Sequence, residues 1–151
     1  MKKDLKNLNA KQMISALKRL DELLPSSVEL IVGGGGAMIL AHNFPLSTSD
    51  IDAIPKGLEF HKFDSLVKKV AQDLDIAPDW LNTWYSSFAC NLLPDFALRL
   101  IDIFSGKNLT AKALGATDLL VMKCFAHREK DVGHAKALIK IGADIEHVRR
   151  H

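Results

Sequence analysis

Four consecutive glycines, Gly33–Gly36, constrain the fold of this 151-residue chain more than any other feature. Before them, Val28, Leu30 and Val32 alternate in a β-rich run, which predicts a half-buried strand. Glycines end such a strand because they adopt dihedral angles that are closed to other residues. The apolar stretch Ala37–Ala41 then predicts a short buried helix. N–H groups at the start of that helix, with no side chains to cover them, would form a cradle for an anion.

Two carboxylates follow the glycines in the segment DIDAIP, which predicts a second strand. Asp50 and Asp52 are two residues apart, so in a strand their side chains point to the same face. The two carboxylates of such a pair repel each other unless a cation lies between them. Mg²⁺ is the usual cation because it prefers oxygen ligands and keeps coordination sites for substrate phosphates. A phosphate cradle beside metal-binding carboxylates indicates phosphoryl or nucleotidyl transfer with Mg²⁺ (or Mn²⁺) as cofactor.

The sequence GGGA followed by TSDID resembles the core signature of the DNA polymerase β-like nucleotidyltransferase superfamily. Within it, the chain is most similar to small bacterial domains related to abortive-infection (type IV toxin–antitoxin) nucleotidyltransferases. The resemblance extends from about Leu30 to about Leu138 and includes DWLN at Asp79–Asn82 and DLLVMKCFAHREKD at Asp118–Asp131. It implies an α/β fold in one domain, 1–151, with a small mixed sheet of four or five strands flanked by helices. This is the minimal nucleotidyltransferase fold.

The resemblance also implies a third carboxylate from a neighbouring strand. The alternating run FALRLIDIF, Phe96–Phe104, predicts that strand and places Leu98, Leu100, Asp102 and Phe104 on one face. Asp102 is the candidate, as a metal ligand with Asp50 and Asp52 or as the general base. The alternative is an aspartate at a strand end, bonded to local backbone or to an arginine.

Two further residues match functional motifs of the similar toxins, Lys123 and the Asp131 of the KD pair. The lysine would neutralise charge on the triphosphate, and Asp131 would orient a group or act as a base. The alternatives are a snorkelling lysine and an N-cap aspartate, because Asp131 precedes an apolar-periodic run. The nucleotide-binding residues that the resemblance implies are Gly34, Gly35, Gly36 and Thr48.

One departure from the related domains concerns the residues before the aspartate pair. Those domains carry Arg-x-Thr, whereas Leu46-Ser47-Thr48 occupies the position here, so a group suited to bidentate phosphate binding is missing. A non-catalytic nucleotide- or RNA-binding module, or a partner subunit in a toxin–antitoxin pair, is therefore the alternative to an active transferase. The expected partners are a nucleoside triphosphate, an RNA, protein or small-molecule acceptor, and an antitoxin.

Other interpretations of the glycines fit less well. A P-loop requires Gly-Lys-Ser/Thr, but Ala37-Met38 follows Gly36. The dinucleotide fingerprint fails because Met38 and Ile39 occupy its final position in the two possible frames. A purely structural glycine turn with incidental carboxylates remains open.

The rest of the sequence predicts an ordinary globular protein. Twenty Lys and Arg residues against 18 Asp and Glu give a net charge of +2, which is not the polybasic character of nucleic-acid-binding chains. No apolar run has the roughly 20 residues that a membrane span needs, and no secretory signal is visible, so a cytoplasmic location is expected. A capping box at Asn9–Gln12 predicts the first helix. A second helix is predicted after the turn at Gly57, with Phe60, Phe63, Val67, Val70 and Leu74 inward. Pro78-Asp79 is predicted to open a third helix that carries Trp80, Trp84 and Tyr85.

Overall fold

A computed structural model describes residues 8–43, 48, 50–83, 95–126 and 138–140, with the backbone alone at 122–126. The described helices are α1 (Ala10–Leu23), α2 (Gly34–His42), α3 (Phe60–Leu74), a 3-10 helix (Phe96–Arg99) and α4 (Ala116–Ala126). The described strands are β1 (Val28–Gly33), β2 (Ile51–Lys56), β3 (Leu81–Asn82), β4 (Ile101–Ser105) and β5 (Leu109–Ala113).

The strands form one mixed sheet in the order β3-β2-β1-β5-β4. β1 lies at its centre, antiparallel to β2 and parallel to β5, while β3 and β4 form the edges of the described sheet. The predicted α/β class, a small mixed sheet flanked by helices, is confirmed.

Local sequence explains the first helix. The Asn9 side chain accepts a hydrogen bond from the Gln12 backbone N–H, and the Gln12 side chain accepts one from the Asn9 N–H, each at 2.9 Å. This confirms the predicted capping box, which satisfies two of the N–H groups that a helix start leaves without partners. Met13, Leu17 and Leu20 are fully buried, so one stripe of α1 packs into the core.

α3 also packs as its periodicity predicts, except at its ends. Phe63, Val67 and Val70 are buried, but Phe60 is 53% exposed and Leu74 38% exposed, so their predicted inward positions were wrong.

The predicted helix at Pro78-Asp79 was also wrong. The chain turns at Ala77–Trp80 and then forms the two-residue strand β3. Trp80 is fully buried, and its Nε1–H donates to the Val67 carbonyl at 2.8 Å, as a buried indole requires. Trp80 therefore belongs to the core, whereas Trp84 and Tyr85 lie outside the described residues.

The segment Phe96–Phe104 is not one continuous strand. Its first part forms the 3-10 helix, and β4 begins only at Ile101. Within β4, Asp102 pairs with Lys112 but Phe104 pairs with Ala111, so the register shifts between them. Because neighbouring residues of β5 face opposite ways, Asp102 and Phe104 lie on opposite faces, and the predicted common face was wrong.

A carboxylate of α1 fixes the turn between β4 and β5. Asp21 accepts hydrogen bonds from the backbone N–H groups of Lys107, Asn108 and Leu109 at 3.1, 2.6 and 2.7 Å. Partial burial alone would raise the pKa of Asp21, but these N–H groups outweigh it and lower the pKa below its ordinary value. The ionised carboxylate thus joins the first helix to the far hairpin of the sheet.

Asp21→Ala is expected to lower the free energy of unfolding at neutral pH by about 2 kcal/mol, since it removes hydrogen bonds to a charged group. A lowered native pKa makes this stabilisation complete above the unfolded-state value of about 4, and it is lost as the pH falls through the native value. Urea unfolding of wild type and variant should therefore give a constant difference from about pH 5 to 8 that shrinks in acid. An equal difference at pH 3 and pH 7 would contradict this role.

Candidate functional site

The glycine run spans the junction between a strand and a helix. Gly33 is the last residue of β1, and Gly34 begins α2 with φ of +57°, the left-handed region that favours glycine. A Cβ at Gly34 would overlap the Oδ2 atom of Asp52, so the carboxylate lies directly against the start of the helix. The helix N-terminus is where a negative group is stabilised by the helix dipole.

The next two glycines have different neighbours. A Cβ at Gly35 would lie 3.2 Å from Cβ and Oγ1 of Thr48, so Gly35 and Thr48 are in close contact. A Cβ at Gly36 would lie 3.3 Å from the Ile51 side chain, and Gly36 is buried. Gly34 and Gly35 therefore border the polar residues, whereas Gly36 packs against the core.

Thr48 is held from the other side by the residue that precedes α1 by two positions. The Leu8 N–H donates to the Thr48 carbonyl at 2.6 Å, and the Thr48 N–H donates to the Leu8 carbonyl at 3.1 Å. Leu8 is 2% exposed, so this antiparallel bridge is anchored in the core. The start of the described chain thereby fixes Thr48 beside Gly35.

The carboxylate pair lies at the start of β2, with Asp50 one residue before the strand and Asp52 as its second residue. Asp52 pairs in register with Gly33 of β1 on one side and with Asn82 of β3 on the other. The Asn82 amide Nδ2 donates to Oδ2 of Asp50 at 3.3 Å. Partners in register share a face of the sheet, so Asn82 and Asp52 lie on one face, and the hydrogen bond places the Asp50 carboxylate beside them. Both aspartates are half-buried.

This donor set fits a hard divalent cation. It consists of the half-buried carboxylates of Asp50 and Asp52, which lie next to the glycines at the N-terminus of α2. Oxygen ligands of this kind suit Mg²⁺ and Mn²⁺, which take one or two carboxylates together with water and phosphate oxygens. Within the part of the chain that the structure describes, no three His, Cys, Asp or Glu side chains form a metal-binding group, so the set contains two acidic residues.

Asp102 is not brought to the pair. It lies on β4, which is separated from β2 by β1 and β5, and three strand spacings amount to about 14 Å. Its side chain is exposed and lies in a row with Lys112 and Ile31, on the face that Asp52 also occupies. Asp102 therefore shares the face of the pair but is too distant to bind the same ion.

The buried aspartate of the described chain is Asp118, at a position where the sequence predicts only that Thr117 or Asp118 caps a helix. It lies within the first turn of α4 and is fully buried. Nε and Nη2 of Arg99 donate to its two oxygens at 2.8 and 2.7 Å, and Arg99 also bonds to Asp95 at 2.9 Å. The hydrogen bonds with Asp118 and then Asp95 raise the pKa of Arg99, so the guanidinium stays charged. It fixes the start of α4 against the end of the 3-10 helix.

Two predicted site residues fall where no geometry is described. Lys123 lies in α4, of which the side chains are described only as far as residue 121. Asp131 lies outside the described residues. Their roles stay predictions. Asn82, in contrast, was not predicted as a site residue, although its presence in the DWLN motif was the available signal.

Gly34→Ala is expected to disturb this site more than the fold. The new methyl group would displace the Asp52 carboxylate, and a non-glycine residue in the left-handed region costs about 1–2 kcal/mol. The measurement is the Mn²⁺ dissociation constant together with the melting temperature. We expect Mn²⁺ affinity to fall by about tenfold, with a loss of stability no larger than that backbone cost. Unchanged Mn²⁺ affinity in a folded Gly34→Ala protein would contradict a role of the contact between Gly34 and Asp52 in metal binding.

Comparison with known proteins gives one family. A family profile described as nucleotidyltransferase of unknown function (DUF6036) matches residues 10–150, which includes the glycine run, the aspartate pair and Asn82. No match was found among curated proteins or among solved structures. No helix in the described ranges is long and apolar enough to cross a membrane.

Proposed function

The chain belongs to this family of nucleotidyltransferases of unknown function, and we propose that it transfers a nucleoside monophosphate from a nucleoside triphosphate to an acceptor hydroxyl with Mg²⁺ or Mn²⁺ as cofactor. The observation that carries this proposal is the contact between the Asp52 carboxylate and Gly34 at the start of α2. It joins the two halves that such a transfer requires, a carboxylate pair and a helix N-terminus built from glycines.

In the proposed reaction the acceptor hydroxyl oxygen bonds to the α-phosphorus of the triphosphate. The bond from that phosphorus to the oxygen bridging the α- and β-phosphates breaks, pyrophosphate leaves, and the hydroxyl proton passes to solvent. Asp50 and Asp52 would hold the metal, and the backbone N–H groups of Gly34 and Gly35 would bind phosphate oxygens. When bound, the metal neutralises charge on the phosphates and polarises the attacking hydroxyl.

Two of the predicted roles change in this proposal. Asp102 has no part in it as a metal ligand or base, because β1 and β5 separate β4 from β2, where the aspartate pair lies. Gly36 has no part in binding phosphate, because it packs against Ile51. Thr48 would act by contact with Gly35, and Lys123 and Asp131 keep their proposed roles of offsetting and orienting the triphosphate.

A second candidate function is favoured by the position of Asp102. With two acidic residues in the described site and Leu46 where relatives have arginine, the chain would bind a nucleotide or RNA without turnover. In this form it would serve as a binding module or as a partner subunit. The proposal includes an acceptor, which is an RNA, a protein or a small molecule. It also includes a role as one component of a toxin–antitoxin pair, with an antitoxin as the partner.

The distinguishing experiment incubates the protein with each α-labelled nucleoside triphosphate, Mg²⁺ or Mn²⁺, and total cellular RNA, protein or small-molecule extract. Transfer of label from one triphosphate, abolished by chelation of the metal, is the expected result and identifies the acceptor class. Metal-dependent triphosphate binding without label transfer to any acceptor would favour the binding module. Absence of both triphosphate binding and transfer would overturn the transferase and a nucleotide-binding role, and would leave RNA binding or a partner subunit.

A further inference from the structure

We infer that Asn82 is the positioning residue of the aspartate pair, which holds the Asp50 carboxylate in place for the metal. This inference rests on the proposed function, since it assumes that Asp50 and Asp52 bind the cation. It gives a role to an amide side chain where three carboxylates were expected.

Asn82 lies next to both aspartates. Its backbone pairs with that of Asp52 in the parallel register of β2 and β3, while its amide donates to Asp50 Oδ2 at 3.3 Å. Asn82 therefore touches one aspartate by its side chain and adjoins the other by its backbone.

The segment that carries Asn82 is held in place by burial and by strand pairing. β3 is only two residues long, but Leu81 is 6% exposed and Trp80 fully buried. The Trp80 carbonyl also accepts from the Ile51 N–H at 2.7 Å, which extends the pairing of β3 with the start of β2. The amide of Asn82 is thus attached to a backbone that the core holds in place.

The side-chain amide of Asn82 is chemically suited to orient the Asp50 carboxylate. Asp50 lies one residue before β2, where strand pairing alone does not hold its side chain. A hydrogen bond to one oxygen fixes the side-chain rotamer, and outer-shell bonds of this kind orient metal-binding carboxylates. Because an amide carries no charge, it orients the carboxylate without competing with the cation for its negative charge, as lysine or arginine would.

The test is the Mn²⁺ dissociation constant by calorimetry, with the melting temperature measured on the same samples. Asn82→Ala is expected to raise the dissociation constant by about tenfold, and Asn82→Gln, which retains the amide, to recover part of the affinity. Asn108→Ala is the matched control, because Asn108 also donates its amide, to the Leu24 carbonyl at 2.9 Å, on the hairpin that Asp21 holds. It should lower the melting temperature without changing Mn²⁺ affinity.

The outcomes separate this inference from the function on which it rests. If Mn²⁺ binding depends on Asp50 and Asp52 but is unchanged in folded Asn82→Ala, the role of Asn82 is overturned and the metal pair stands. If wild-type protein shows no Mn²⁺ binding that Asp50→Ala and Asp52→Ala remove, the proposed function fails and the inference fails with it. A loss of affinity equal in Asn82→Ala and Asn108→Ala would reduce Asn82 to a structural role and overturn the inference.

Discussion

Asp52→Asn is expected to lower the rate of nucleotide transfer by about 10³-fold, which corresponds to about 4 kcal/mol of transition-state stabilisation. Asparagine has the same shape as aspartate but lacks the charge that would bind the metal. Asp52 is the member of the pair that adjoins Gly33 in β1 and contacts Gly34 at the start of α2. The substitution therefore removes charge at the point where the carboxylate pair meets the phosphate cradle. Initial rates of label transfer at saturating metal and triphosphate measure the effect.

Asp102→Asn is the matched control for this prediction. It makes the same chemical change on the same face of the sheet, but on β4 rather than on β2. The exposed position and the distance of about three strand spacings predict a rate within about twofold of wild type. A loss comparable to that of Asp52→Asn, in a variant with a normal melting temperature, would show that Asp102 acts in the site and would contradict the strand order argued above.

Arg99→Ala is expected to produce the largest loss of stability among single substitutions in the described polar residues. It would leave the fully buried Asp118 carboxylate without the two hydrogen bonds that now satisfy both of its oxygens. Breaking a buried pair by removing one partner costs about 3–5 kcal/mol. We expect about 3 kcal/mol because the Arg99 side chain is itself 27% exposed. Urea denaturation at pH 7 measures this difference.

Two variants check the cause of that loss. Arg99→Lys keeps the charge but not the planar fork that bonds both oxygens of Asp118, so it should recover only part of the stability. Arg19→Ala removes another arginine, whose partner Asp73 lies on the surface between α1 and α3, and should have a much smaller effect. Equal losses in Arg99→Ala and Arg19→Ala would contradict the importance of burial at Asp118.

The elements that sequence predicted well are those that local physics determines. The capping box of α1 involves residues three positions apart, and the glycine junction between β1 and α2 is a continuous segment. The alternation of Leu109, Ala111 and Ala113 likewise predicts a short strand, and these residues lie in β5. In each of these cases the capping side chains, the glycines or the alternation of a few neighbouring residues are enough to decide the local conformation.

The errors concern information that a local pattern does not contain. The register shift after Asp102 depends on how β4 pairs with β5, so alternation alone could not place Asp102 and Phe104 on opposite faces. The order of strands decides that β4 lies at the edge, far from β2. At Pro78-Asp79 an apparent helix start gave way to pairing of Leu81 with Ile51 across the sheet.

The polar contacts of the site show the same division. The spacing of Asp50 and Asp52 identified the pair, because side chains two residues apart in an extended segment point to the same face. Asn82 reaches Asp50 from 32 positions away, and Arg99 reaches Asp118 from 19 positions away. Such long-range contacts leave no periodic signature in a single sequence, so only the folded structure reveals them.

The most direct test of the proposed site is a crystal structure with Mn²⁺ and a non-hydrolysable nucleoside triphosphate, using the anomalous signal of manganese. We expect a manganese peak about 2.1 Å from carboxylate oxygens of both Asp50 and Asp52. Phosphate oxygens should lie within hydrogen-bonding distance of the Gly34 and Gly35 N–H groups. A manganese ion bound elsewhere, or a triphosphate that does not contact the glycine turn, would contradict the assignment of this end of the sheet as the nucleotide site.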